Sequence, residues 1–140
     1  MTLDQMDKRI LAVLEGNART SAAEIGRRIG LSRTAVQDRL SKLETSGIIG
    51  GYRVVISDAE GDLIRAALFV KIAVRPCEPA LNWIASLNGV QEVVSLSGDI
   101  DALVRCAVPD VAALTALNDK IGQSELITSA NSSVILRVIP

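Results

Sequence analysis

The sequence contains no histidine. That removes the side chain most often used as a near-neutral acid or base, and the commonest metal ligand. No phosphate-cradling glycine loop, Ser/His/Asp set or Cys/His cluster takes its place, so neither catalytic nor metal-binding residues nor a bound cofactor are expected. Cysteine is almost as scarce. Cys77 and Cys106 fall in a predicted loop and a predicted strand without metal-type spacing, and read as reduced cytosolic thiols. No apolar run approaches the roughly 20 residues that span a bilayer, and the N-terminus is charged and amphipathic rather than signal-like. A cytoplasmic protein with no membrane partner is expected. The 140 residues allow one domain or two small ones, each marginal alone.

What is present is concentrated first in Ser21–Tyr52. Ser21 and Glu24 have capping-box spacing, and Ile25 and Ile29 share one face of a short helix. Gly30 stands where that helix must stop, since glycine enters the left-handed conformation without a Cβ penalty. Ser32 can cap a second helix whose Val36, Leu40 and Leu43 make one buried stripe. Arg33, Thr34, Gln37, Asp38 and Ser41 then point elsewhere, a face suited to base edges and phosphates. On an isolated helix such a face is most often merely solvated. Two capped helices meeting at a glycine turn favour a helix-turn-helix that presents the second helix to double-stranded DNA.

Upstream, Asp4 can cap a supporting helix lined by Met6, Ile10, Leu11 and Leu14 and ended by Gly16. Downstream, residues 47–55 change to strand chemistry and predict a short wing, with Arg53 able to reach a phosphate. The net charge of −1 says nothing about nucleic acid by itself. Residues 1–53, however, carry nine Lys/Arg against six Asp/Glu, and residues 54–140 carry six against ten. The front is therefore +3, the sign DNA needs but weakly so, and useful affinity would require two or more copies.

Residues 57–65 read as an acidic, polar linker. Beyond it the pattern is β-α-β-β-α-β: strand 66–74, helix 79–87, strands 90–97 and 101–108 joined by a tight Gly98-Asp99 turn, helix 110–121 and strand 125–139. The chain is thus an α+β protein: a winged helix-turn-helix over 1–56, the linker over 57–65, and a ferredoxin-like domain over 66–140. The first strand is apolar on both faces, with Ala66, Leu68, Val70, Ile72 and Val74 opposed by Ala67, Phe69 and Ala73. The third strand behaves similarly. Two helices cover only one face, so the other is expected to meet a second copy in a homodimer.

The whole of residues 3–140 resembles the Lrp/AsnC (feast/famine) transcriptional regulators. The resemblance rests on Leu3-Asp4-x-x-Asp7-x-x-Ile10-Leu11, on Glu24-Ile25-x-x-x-Ile29-Gly30-Leu31-Ser32 and on Arg39-Leu40-x-x-Leu43-Glu44-x-x-Gly47-Ile48-Ile49-x-Gly51-Tyr52. It continues in the hairpin Ser97-Gly98-Asp99-Ile100-Asp101-Ala102-Leu103. It implies a DNA-binding set of Ser32, Arg33, Thr34, Gln37, Asp38, Arg39, Ser41, Lys42 and Arg53. It further implies a RAM/ACT-like ligand-sensing and dimerisation domain, dimers often assembled into octamers, and a small effector, commonly an amino acid, bound between subunits. Gly98, Asp99, Ile100, Asp101 and Ala102 would line the effector site, with Ser129, Asn131 and Ser132 opposite. Asp99 or Asp101 could pair an ammonium, and N–H groups around Gly98 a carboxylate; equally, Gly-Asp turns close many hairpins that bind nothing.

Two departures stand out. Ile100 replaces an aromatic or polar residue common in the family, so side-chain selectivity does not transfer. Arg33 follows Ser32 where many members have proline, which adds a charge at the start of the reading helix. The alternatives are an enzyme like the sirohaem decarboxylases, which share this architecture but whose chemistry is associated with histidines, and a sensor or assembly module that has lost DNA binding. The first is opposed by the absent histidine, the second by Arg33, Gln37 and Arg39.

Overall fold

A computed structural model describes residues 1–56 and 61–139, which divide into two units at Ser57/Asp58. The first unit holds α1 (Gln5–Gly16), α2 (Ala22–Ile29) and α3 (Arg33–Thr45). Each begins at a side-chain cap. Asp4 accepts from the Asp7 N–H, Ser21 from the Glu24 N–H and Ser32 from the Ala35 N–H. The capping box closes reciprocally at Asp4/Asp7. At Ser21 only the serine half forms, because the Glu24 carboxylate pairs with Arg27 and Arg28 on the outer face of α2. Gly30, at φ +79°, ends α2 as expected. Ile10, Ile25, Ile29, Val36 and Leu43 form the core, flanked by Met6, Leu11, Leu14 and Leu40.

The sequence does not reveal what Gly26 does. It is buried in α2, and a Cβ there would come within 3.0 Å of the Leu31 carbonyl oxygen. The turn between α2 and α3 is laid directly on it.

The expected wing strand is absent from the described residues. After α3 the chain turns through Gly47 (φ +77°), and Tyr52 ties it back by donating to Glu44 Oε1 at 2.9 Å. Residues 50–56 then form no strand among the described residues, and Val54, Val55 and Ile56 are exposed. Their β-branched chemistry suits a strand, but a strand needs a neighbour to bond with.

In the second unit β1 (Ile64–Ile72), β2 (Val90–Ser95), β3 (Ala102–Val108) and β4 (Ile127–Val134) form an antiparallel sheet in the order β2-β3-β1-β4. Helices α4 (Glu78–Ala85) and α5 (Val111–Gly122) cover one face. This is the ferredoxin-like arrangement. β1 starts two residues inside the expected linker, whose residues 57–60 lie outside the described ones, and stops at Ile72. Ala66, Leu68, Val70 and Ile72 are buried with Val104, Cys106, Ile84, Leu114, Leu117 and Ile121. No helix among the described residues is long and apolar enough to cross a membrane.

The opposite sheet face is more mixed than the strand pattern suggests. Phe69, Leu103 and Val94 lie side by side across β1, β3 and β2. Around them stand Lys71, Arg105 and Glu92, with Asn131, Ser129 and Ser133 contributed by β4. The alternation in β1 and β3 predicts the apolar centre. Half of the polar surround comes from β4, whose serines and asparagine land on this face only through the register.

Candidate nucleic-acid interface and sensor hairpin

The candidate reading surface follows from where α3 is buried. With Val36 and Leu43 fully enclosed, Arg33, Thr34, Gln37 and Ser41 occupy a strip about 100° wide on the far side of the helix, and all four are exposed. Asp38 and Lys42 continue the strip beyond its Thr34 edge, and Ser32 sits at its head with its hydroxyl already serving the cap. None of the four strip residues makes a side-chain bond that the fold requires.

Arg39 is differently occupied. It turns away from the strip toward the start of α1, where Nη1 donates to Asp4 Oδ2 at 2.6 Å and to Asp7 Oδ1 at 2.8 Å. Hydrogen bonding to Arg39, and then to the Asp7 backbone, holds the Asp4 carboxyl below its ordinary range; the same carboxylates raise the Arg39 guanidinium. Arg53 lies on the exit segment, beside Tyr52 at a cavity of about 540 Å³ whose walls include Leu11, Leu14, Ile48 and Ile49.

In the second unit the hairpin is wider than a two-residue turn. Strands β2 and β3 end at Ser95 and resume at Ala102, and Leu96 N–H donates to the Asp101 carbonyl at 2.9 Å. Gly98 takes φ +103°, a conformation that other residues rarely adopt. The two acids of the loop differ sharply. Asp101 turns inward: Oδ2 accepts from Ile72 N–H at 2.7 Å, just past the irregularity in β1, and Oδ1 accepts from Arg75 Nη2 at 2.9 Å. Arg75 also donates through Nη1 to the carbonyls of Ile72 and Val74. Asp101 is therefore a brace for the hairpin, while Asp99 remains exposed and unengaged. Ile100 is half-buried and Ala102 fully buried.

The three β4 candidates do not share a face. Ser129 and Asn131 stand opposite Lys71 and Phe69 on the open side, whereas Ser132 stands opposite Leu68 on the helix side. Ser129 and the hairpin do lie at the same end of the sheet, with β1 between them. Lys71 and Arg75 were not singled out in the sequence. Their signal was weak, a lone cation in an apolar strand and an arginine before a proline, and only the register places them beside the hairpin. A separate cavity of about 460 Å³, walled by Leu63, Leu87, Val108, Pro109, Leu117 and Lys120, is lined by none of the hairpin candidates.

A capped helix-turn-helix with an uncommitted polar strip, followed by a ferredoxin-like unit with a glycine-containing hairpin, defines a DNA-binding regulator with a ligand-binding domain. Residues 3–44 match the model of the AsnC-type helix-turn-helix domain, and residues 66–139 that of the Lrp/AsnC ligand binding domain. The chain belongs to the Lrp/AsnC family of transcriptional regulators. It is 32% identical over 137 residues to an HTH-type transcriptional regulator of Methanocaldococcus jannaschii, covering 96% of this chain and 93% of that protein. It is also 32% identical over 120 residues to the leucine-responsive regulatory protein of Escherichia coli K12, covering 82% and 73% respectively. Among solved structures, a Neisseria meningitidis transcriptional regulator in complex with L-Met superposes with a TM-score of 0.80 at 27% identity, covering 99% of this chain and 93% of that one. E. coli AsnC gives 0.73 at 27% identity, covering 99% and 95%.

Proposed function

We propose that the chain reads DNA as a cytoplasmic homodimer, itself a unit of a higher assembly such as an octamer, through Arg33, Thr34, Gln37 and Ser41. The observation that carries this reading is the uncommitted strip on α3. Four exposed polar side chains suited to base edges make no side-chain bond within the fold. Asp38 and Lys42 are assigned to its margin, and Ser32 and Arg53 to phosphates. The function is one of binding, with no chemical step.

The Phe69, Leu103 and Val94 centre of the open sheet face supports dimerisation, since apolar surface rimmed by polar groups marks interfaces. The effector we assign is an amino acid held at the hairpin between subunits. Asp99 is the exposed acid assigned to its ammonium, and N–H groups around Gly98 are assigned to its carboxylate. The neighbouring Neisseria structure holding L-Met supports that ligand class.

The test is fluorescence anisotropy on genomic fragments selected by the wild-type protein at fixed salt, with and without a panel of amino acids. Arg33→Ala/Gln37→Ala should lose specific binding by about 1–3 kcal/mol per base contact while sedimentation shows the oligomer intact. Unchanged specific binding would remove α3 as the reading element.

A further inference from the structure

We propose that Arg39, although it lies on the reading helix, acts on DNA recognition from inside the domain by fixing the attitude of α3 against α1. The inference rests on the DNA-reading role of α3, whose own failure would show as a wild-type protein that prefers no fragment. Asp7 is the one buried charged side chain among the described residues, at 4% exposure. It sits at the third position of α1 and closes a reciprocal pair with Asp4, with N–H to carboxylate distances of 2.8 and 3.1 Å. That pair leaves one carboxylate oxygen of each residue facing α3, and a single nitrogen of Arg39 takes both.

A buried carboxylate is tolerated only when fully partnered. Arg39 is thus the group that lets the start of α1 lie against α3. The helix-turn-helix packing holds α3 along its Val36 and Leu43 stripe, which leaves rotation about its own axis to be fixed from the side. Arg39 borders that stripe and supplies the lateral tie. Direct phosphate contact is the rival role, because only Nη1 is engaged and the donors on Nη2 and Nε remain for a second partner.

Positioning and direct contact make opposite predictions for the acids. Asp4→Asn and Asp7→Asn each remove a negative charge from the DNA-binding unit, so simple electrostatics predicts tighter binding to any duplex. The positioning role predicts about tenfold weaker binding to the selected fragment, the worth of one base contact, with binding to a random-sequence duplex of equal length unchanged or slightly tighter.

The experiment measures both affinities across a salt series for wild type, Asp4→Asn, Asp7→Asn, Arg39→Met and Arg39→Lys, at a temperature where circular dichroism shows each folded. Asp4 is half exposed, so Asp4→Asn carries the test even if Asp7→Asn does not fold. The specificity ratio should fall in Asp4→Asn and Arg39→Met and recover in Arg39→Lys, whose ammonium can still bridge two carboxylates. The slope of log affinity against log salt should stay at its wild-type value in Arg39→Met. A slope lower by about 0.9 for each reading helix would make Arg39 a phosphate ligand and overturn the proposal. An unchanged specificity ratio in Asp4→Asn would do the same.

Discussion

Gly26→Ala offers a sharp test of how the helix-turn-helix is held. Helix propensity alone favours alanine over glycine by about 1 kcal/mol, so an exposed helix would gain stability. Here the new methyl would meet the Leu31 carbonyl inside 3.0 Å, and backbone cannot rotate away as a side chain can. Overpacking of this kind costs about 1–3 kcal/mol. The same turn hangs on Gly26 through two bonds to its carbonyl, from Gly30 N–H at 2.8 Å and Leu31 N–H at 2.9 Å. Weakening one adds about 1 kcal/mol. The balance is a net loss of about 1–3 kcal/mol, each kcal/mol being worth about 4–8 °C in Tm for a unit of this size. Thermal unfolding followed at 222 nm should show that shift, while the fluorescence of Trp83, in the second unit, should not move with it. Gly30→Ala is the comparison: it meets nothing within 4 Å and suffers only its left-handed backbone, at about 1–2 kcal/mol. Because α3 begins where this turn ends, Gly26→Ala should also weaken specific DNA binding. A Gly26→Ala protein as stable as the wild type would refute the close-approach argument outright.

Three further outcomes are expected. The Asp4 carboxyl is depressed below 3.8 in the folded unit, so its contribution is fully present above that value and is lost as pH falls through the lower folded value; acid unfolding of the first unit, followed at 222 nm, should be steeper below about pH 4 in the wild type than in Arg39→Met. Asp101→Ala strands the Ile72 N–H and frees Arg75, and should cost the second unit about 1–3 kcal/mol in urea unfolding read by Trp83. Cys106, 1% exposed and with its thiol raised by burial, should resist a thiol reagent in the native protein, whereas half-buried Cys77 should react first; mass spectrometry of the partly labelled chain distinguishes them.

The features legible in the sequence are those whose physics is local. Ser21, Ser32 and Asp110 cap helices through a neighbour three residues away, and Gly30 ends α2 by its own backbone freedom. The alternation of Ala66, Leu68, Val70 and Ile72 likewise declares the core face of β1 without help. Less legible were residues whose partners are distant. The bonds of Arg39 to Asp4 and Asp7 leave no local signal, because those acids lie more than thirty positions away. Asp101 looked as available as Asp99 until Ile72 and Arg75 were brought to it. Val54 and Val55 have strand chemistry, yet no strand forms there among the described residues. Ser132 parted from Ser129 and Asn131 because adjacent strand positions alternate across the sheet.

The Asp4–Asp7–Arg39 cluster also bears on the order in which the first unit forms. Asp7 can leave water at tolerable cost only once its partner is in place, and that partner arrives 32 residues later in the chain. Helices α2 and α3, joined by a short turn and packed through Ile25, Ile29 and Val36, need no such wait. The cluster therefore predicts that α1 docks only after α2 and α3 have met. Its acidic end stays hydrated until the guanidinium of α3 reaches it, and substitutions at Asp7 should alter the unfolding rate more than the folding rate.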